Sequence, residues 1–388
     1  GFFIGVHQVS LAQTIEMDAL SYWEHKHWLS HIDFAIVGSG IVGLNCALAL
    51  REKHPKAKIV IFEKGILPKG ASTKNAGFSC FGSISEIVSD LEKEGEEAVF
   101  SLVQKRHQGV ALLRKALGDS ALDFQQLGGH EVFLNAQEAL FDKCASQIPR
   151  ANKLLRPIFK GDSFGLKPNE FEFGGVLSQY ISSPHEGQID TGFMMKNLIQ
   201  KVQENNIMIW HGVPVTQIEA GADKNLLKTP FFECAPGKIC LATNGFSQQF
   251  GIEEVVPARA QVLITKPIKN LALKGVFHLD EGYYYFRNID GRILLGGGRN
   301  LDFKGEQTTS FDQTPLIQEA LEKLLSDTIL PHTPFEIDRR WSGIMGVGNF
   351  KQPLVKNIQN ELYAAVRLGG MGVALGAQLG QELADLCD

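Results

Sequence analysis

Apolar residues fall in short blocks whose spacing switches between two periods along the chain. Residues 34–38 form a continuous apolar run, 41–52 repeat at helical spacing, and 58–63 form a second apolar run ending at Glu63. That order predicts a strand, a helix and a strand, a βαβ unit of about 30 residues that opens a doubly wound α/β fold. Further helices are predicted over 84–118, 136–156, 190–205, 315–328 and 373–386. Strands are predicted over 128–134, 207–211, 213–219, 238–243 and 362–366, and alternation of strand type fills 258–300 (260–265, 282–287, 292–296). Residues 14–30 read as a short helical lead-in.

Composition narrows the class. At 388 residues and 44% hydrophobic, the chain fits two or three domains and excludes a disordered segment, a coiled coil or a disulfide miniprotein. The net charge of −5 and the lack of a long Lys/Arg run argue against a nucleic-acid partner. Six cysteines lie scattered without a Cys-x-x-Cys pair, so neither zinc nor a dithiol centre is signalled, and a reduced, cytoplasmic protein is expected. The eleven histidines show no metal-ligand spacing, and no metal is expected. The longest weakly polar run, 34–50, has 17 residues and three glycines placed for a turn, short of the ~20 a membrane span needs. The apolar opening hexapeptide has no basic leader and is not read as a signal peptide.

Gly38-Ser39-Gly40-Ile41-Val42-Gly43 stands between a predicted strand and a predicted helix, with Glu63 twenty residues beyond Gly43 at the end of the next strand. In that setting Gly38 permits the tight turn, Gly40 admits a pyrophosphate, and Gly43 lets helix and strand pack closely. The helix N-terminus adds partial positive charge. The acidic Glu63 accepts from ribose hydroxyls and repels a 2′-phosphate, which favours FAD or NAD over NADP. Only one such motif occurs, so the dinucleotide is FAD reduced by a small substrate, or NAD. The polar loop 70–77 (Ser72, Thr73, Asn75, Ala76, Gly77), after Lys64, offers further donors to a pyrophosphate and a flavin ring. Gly369-Gly370-Met371-Gly372 before the last helix aims a helix N-terminus at negative charge developing on a flavin.

These three elements make the chain resemble the D-amino-acid oxidase (DAO) family of FAD enzymes, in the glycine oxidase and sarcosine oxidase branch, over about residues 33–388. The resemblance also rests on 185–190, on Val213-Pro214-Val215 where the family wraps the adenine, on Ala242-Thr243-Asn244-Gly245, on 291–298 and on Trp341-Ser342-Gly343. It implies a Rossmann-like FAD domain assembled from 31–90, 150–255 and 336–388. A second, mainly antiparallel β-sheet substrate domain would come from 91–149 and 256–335, with 1–30 as a lead-in. Val373, after the glycine turn, joins the cofactor contacts. The implied chemistry is hydride transfer from the C–H beside the nitrogen of an amine or amino acid to FAD, with oxygen or another acceptor closing the cycle. A flavin dehydrogenase of a hydroxy acid or polyol phosphate on the same fold is the alternative. A nucleotide-binding protein without turnover is the reading from another class.

Departures from the family pattern shape the substrate expectation. In the amino-acid-oxidising members one Arg that pairs with the substrate carboxylate falls at Met345, and a second falls at Gly370; both anchors are missing here. Sarcosine oxidase holds its flavin through a Cys near the first of these positions, and none lies between 241 and 386, so FAD is expected to be non-covalent. Its oxygen-activating Lys corresponds to Leu294, with Arg287 or Lys351 as the charges that would substitute. Substrate contact is assigned to Tyr284, with Arg287, Arg299 and Arg340 as replacement anchors and His130 as a further wall residue. Strand alternation puts Tyr283, Tyr285 and Arg287 on one face, and Tyr284, Phe286 and Asn288 on the other.

Overall fold

The computed structural model describes residues 20–221 and 224–388. The predicted βαβ unit is present: strand Phe34–Val37, helix Ile41–Lys53 and strand Ile59–Glu63. Both strands are buried along their whole length, as expected for parallel strands covered on both faces. They stand in a six-stranded sheet whose order from edge to edge is 354–359, 362–366, 238–241, 34–37, 59–63 and 208–211. All its pairs are parallel except the edge hairpin Leu354–Gln359 with Leu362–Val366. Helices Ile41–Lys53, Thr191–Glu204 and Gly372–Leu386 bury one face of this sheet. A three-stranded sheet (Gln217–Glu219, Leu226–Lys228, Glu233–Cys234) lies over the other.

The second sheet has eight strands, mostly antiparallel, running in the order 337–347, 256–265, 292–297, 284–289, 276–279, 129–131, 179–183 and 165–168. Three of its strands, Gly165–Pro168, Gln179–Ser183 and Ile337–Val347, fall inside segments that the family resemblance assigns to the FAD domain. Their ladders nevertheless lie within this eight-stranded sheet. Helix Pro315–Leu324 covers one face of this sheet. The opposite face looks back at the parallel sheet across a cleft.

Local differences from the sequence reading have local causes. The two helices expected within 84–118 are Ile84–Lys93 and Glu96–Leu117, the second beginning at Glu96 rather than Val103, directly after Gly95 with φ +83. Only Gln217–Glu219 of the expected 213–219 strand is extended pairing. Of the lead-in, Tyr22–Leu29 is helical, and the part before residue 20 lies outside the described residues. The small-residue face of the last helix is a packing face: a Cβ on Gly376 would lie 2.4 Å from Ile41, and one on Gly380 2.6 Å from Asn45. Among the described residues no helix is long and apolar enough to cross a membrane.

One side chain joins the layers. Asn244 follows the parallel strand Lys238–Leu241, and its Oδ1 accepts from the backbone N–H of Arg367 (3.1 Å) and Leu368 (3.3 Å). The same oxygen would lie 2.5 Å from a Cβ on Gly346, at the end of the long strand Ile337–Val347.

Candidate active site

A cavity of about 750 Å³ occupies the cleft between the sheets, within the ~300–1,000 Å³ range of ligand clefts. The floor is built from the carboxyl ends of parallel strands and the first turns of two helices: Val37, Gly38, Gly40, Ala242, Gly372 and Val373. This is where ligands bind in open α/β sheets. Gly38 has φ +108, and a Cβ there would strike the Ala242 carbonyl at 2.8 Å. Gly43 lies off the cavity, its Cα hydrogens against the Gly38 carbonyl, which a Cβ would meet at 2.0 Å. Ile41 and Val42 line the cavity from the helix start.

Glu63 is buried beside this turn. Its Oε2 accepts from the backbone N–H (3.1 Å) and hydroxyl (2.7 Å) of Ser39, and its Oε1 accepts from Gly65 N–H (2.9 Å). The carboxylate therefore fixes the glycine turn as well as facing the cavity. Lys64 places its ammonium 3.2 Å from the centre of the Phe246 ring, and burial lowers its pKa. Val215 lines the same end.

The 70–77 loop covers the middle of the cleft. Ser72 Oγ accepts from Ile41 N–H at 2.9 Å, at the helix N-terminus. Asn75 and Ala76 line the cavity, with Asn75 Oδ1 accepting from Gly77 N–H (2.8 Å) and Thr191 Oγ1 (3.0 Å). Thr73 and Gly77 do not reach the cavity: Thr73 donates to the Pro68 carbonyl at 2.9 Å, and Gly77 packs against the Ile189 carbonyl. Thr243 and Asn244 line it, whereas Gly245 packs on the Met345 carbonyl. Gly370 and Met371 close the far end.

The roof corrects the choice of tyrosine. Tyr285 and Tyr283 line the cavity. Tyr284 is on the opposite face, in the cluster under helix Pro315–Leu324. The alternation was legible, but which face met the cleft was set by that helix. Arg287 shares the face of Tyr285 yet does not line the cavity; its Nη2 donates to the Ile189 carbonyl at 2.9 Å, and burial pushes it down to about 10. Arg340 is held by Gln318 and Glu322 on the helix side. His130 is a structural residue, with Nδ1 2.9 Å from Ser182 Oγ. Arg299 does line the cavity. Met345 lines the floor near Gly370, and Leu294 is buried in the roof cluster with Val262 and Ala76.

At the substrate end sequence reasoning missed Arg106, and it named Lys351 only as a substitute charge near the flavin. Arg106, 3% exposed, donates to the Phe81 carbonyl (2.7 Å) and to Glu86 (3.0 Å), and Lys351 reaches Asp90 at 2.7 Å and Glu86 at 3.3 Å. Burial opposes the Glu86 charge, but the Arg106 and Lys351 cations overcome it and hold its pKa at about 2. Beside them, Cys80, Glu186 and His278 converge, with one donor atom of each within 4.8 Å of the others. Each comes from a different segment, and although Glu186 falls within the 185–190 stretch of the resemblance, no sequence signal joined the three.

The donor set fits FAD. Glycine takes the place of side chains where a pyrophosphate would pass, two helix N-termini open onto the cleft, and an acidic group stands at the second strand end. When bound, that cofactor supplies the two-electron acceptor; Ser72, Asn75, Glu63 and the two glycine turns are the groups placed to hold it.

A parallel-sheet nucleotide cleft roofed by an antiparallel sheet defines an FAD-dependent oxidoreductase. Residues 33–386 match the family described as FAD dependent oxidoreductase, DAO. The chain belongs to that family. It is similar to the mitochondrial L-2-hydroxyglutarate dehydrogenase of Bos taurus, at 25% identity over 315 residues, 73% of this chain. The chain spans 64% of the length of that relative. Among solved structures it is similar in fold to glycine oxidase from Geobacillus kaustophilus (TM-score 0.74, 18% identity, 92% of this chain and 94% of that one). It is also similar in fold to L-proline dehydrogenase from P. horikoshii (TM-score 0.71, 18% identity, 91% and 92%).

Proposed function

We propose that this enzyme oxidises a small polar substrate at a carbon bearing nitrogen or oxygen, using FAD held non-covalently between the sheets. The observation that carries this is the cavity itself: one continuous space joins the glycine-lined nucleotide end to a compact end with titratable walls. Cys80, the cysteine on that wall, is buried, which pushes its thiol pKa well up and supports a non-covalent cofactor. Six buried, unpaired cysteines support a reducing compartment such as the cytoplasm. The parallel sheet with its helices acts as the FAD domain and the eight-stranded sheet as the substrate domain.

A C–N substrate, an amine or amino acid, is the reading that the family resemblance supports. A C–O substrate is supported by the match to L-2-hydroxyglutarate dehydrogenase. Anaerobic reduction of the bound flavin by a panel of amines, amino acids and hydroxy acids tests the proposal. Bleaching by members of one class supports it, and a protein that binds no FAD, or whose flavin no member reduces, sinks it.

A further inference from the structure

Hydride can leave an amine-bearing carbon once the amine is neutral, because water takes the ammonium proton beforehand. A hydroxyl is too weak an acid for that. Oxidation of an alcohol needs a base beside the O–H as the hydride departs. A base at the substrate end of the cleft is thus a marker of substrate class.

His278 meets that description. It stands in the central strand Val276–Leu279 of the roof, opposite Tyr285 in the ladder, and lines the cavity. Its Nε2 lies 3.2 Å from Glu186 Oε2. With that N–H donated to the carboxylate, the tautomer is fixed and Nδ1 carries the lone pair. Among the described residues Nδ1 has no hydrogen-bond partner. Glu186 is itself held, its Oε1 accepting from Phe81 N–H at 3.3 Å. Room for it depends on Gly129, where a Cβ would lie 1.9 Å from Glu186 Oε2. The neighbouring strand therefore leaves out a side chain at the one place where the carboxylate backs the imidazole.

We infer that His278 is the catalytic base for a hydroxyl-bearing substrate and Glu186 its positioning residue, so the enzyme dehydrogenates a hydroxy acid. The inference rests on the FAD reading above. The hydroxyl O–H bond breaks and its proton passes to Nδ1. The C–H bond breaks with its electron pair going to FAD, reduced by two electrons, and the C–O bond becomes a carbonyl. The groups facing His278 are Glu186, Glu131, Glu86, Cys80, His130 and Tyr285. Burial disfavours the imidazolium, but the hydrogen bond and charge of Glu186 outweigh it and raise the pKa above its ordinary 6.5. The base is consequently freed as pH rises through a value above 6.5.

The test uses FAD-loaded protein and its His278→Asn and Glu186→Gln variants. L-Lactate, L-malate and L-2-hydroxyglutarate are set against glycine, L-proline and sarcosine in anaerobic stopped flow. The expected result is reduction of the wild type by a hydroxy acid, rising with pH, and a loss of about a hundredfold or more in His278→Asn. Glu186→Gln should move the inflexion to lower pH. Independently of turnover, ¹⁵N imidazole shifts should place the His278 titration above 6.5 in the wild type and lower in Glu186→Gln. Unchanged hydroxy-acid reduction in His278→Asn overturns the inference. So does fast reduction by amines alone, or stoichiometric zinc in the wild type that His278→Asn loses. A colourless wild type would instead fail the FAD reading.

Discussion

The thioether of Met345 lies beside Gly370 across the floor of the cleft, 3.3 Å from where a Cβ on Gly370 would stand. By the family resemblance these are the two positions at which amino-acid-oxidising members carry cations, and here the pair is neutral. A small zwitterion lodged at that spot would bury its carboxylate unpaired, at a cost of several kcal/mol. Glycine and sarcosine should therefore reduce the flavin poorly. Met345→Arg should lower the glycine concentration needed for half-maximal reduction, read in anaerobic titrations; rapid bleaching of the wild type by millimolar glycine contradicts the account.

Glu63 both faces the cleft and holds Ser39 and Gly65. Its replacement by Arg should weaken FAD binding at least tenfold, since hydrogen bonds to a charged acceptor contribute about 1.5–3 kcal/mol each. Quenching of flavin fluorescence on titration of the apoprotein measures it. An affinity equal to that of the wild type would show that the carboxylate contributes nothing to the site.

Gly380 has no spare volume. An added Cβ would sit 2.8 Å from both the Cys46 nitrogen and the Val42 carbonyl oxygen, backbone atoms that cannot swing aside. Gly380→Val should cost about 1–3 kcal/mol or more. Because Val42 also lines the cavity, FAD content should fall with melting temperature. Calorimetry and the flavin-to-protein absorbance ratio read the two effects.

The folded-state pKa of Glu86, about 2, lies below its ordinary 4.5. Its contribution is therefore fully present above pH 4.5 and lost as pH falls toward 2. Its size is on the order of 3 kcal/mol, reduced by Asp90, which burial shifts the other way despite Lys351. Urea unfolding between neutral pH and pH 3 should show the decline, and Glu86→Gln should flatten it.

Leu294, which by the family resemblance corresponds to the oxygen-activating Lys of sarcosine oxidase, is 5% exposed among Val262 and Ala76 in the roof. Arg287, opposite it in the ladder, is turned to the Ile189 carbonyl, and Lys351, the other candidate to replace that charge, is paired with Asp90 and Glu86. The reduced enzyme should react slowly with oxygen and faster with a phenazine or quinone. Stopped-flow reoxidation in air-saturated buffer decides, and a rate typical of an efficient oxidase would show that charge at this position is dispensable.

The nucleotide half was readable because it is local: Gly38, Gly40, Gly43 and Glu63 lie within one βαβ unit, and each residue type has one backbone reason to be there. The substrate half is assembled across the chain. His278 meets Glu186 from a turn 92 residues earlier, and Arg106 meets Lys351 through Glu86; no spacing records such encounters. Tyr284 and Tyr285 show the intermediate case. Period two assigned them to opposite faces, but the choice of face depended on helix Pro315–Leu324, thirty residues away. The strand Ile337–Val347 was hidden among the C-terminal segments because sequence order does not reveal which sheet a strand joins.

Asn244 binds the C-terminal turn and abuts the end of the long roof strand while itself lining the cleft. Roof and floor are thus pinned together at the place where the cofactor is held, leaving no hinge there on which the layers can swing apart. Parting the layers there requires breaking the two hydrogen bonds that Asn244 Oδ1 accepts.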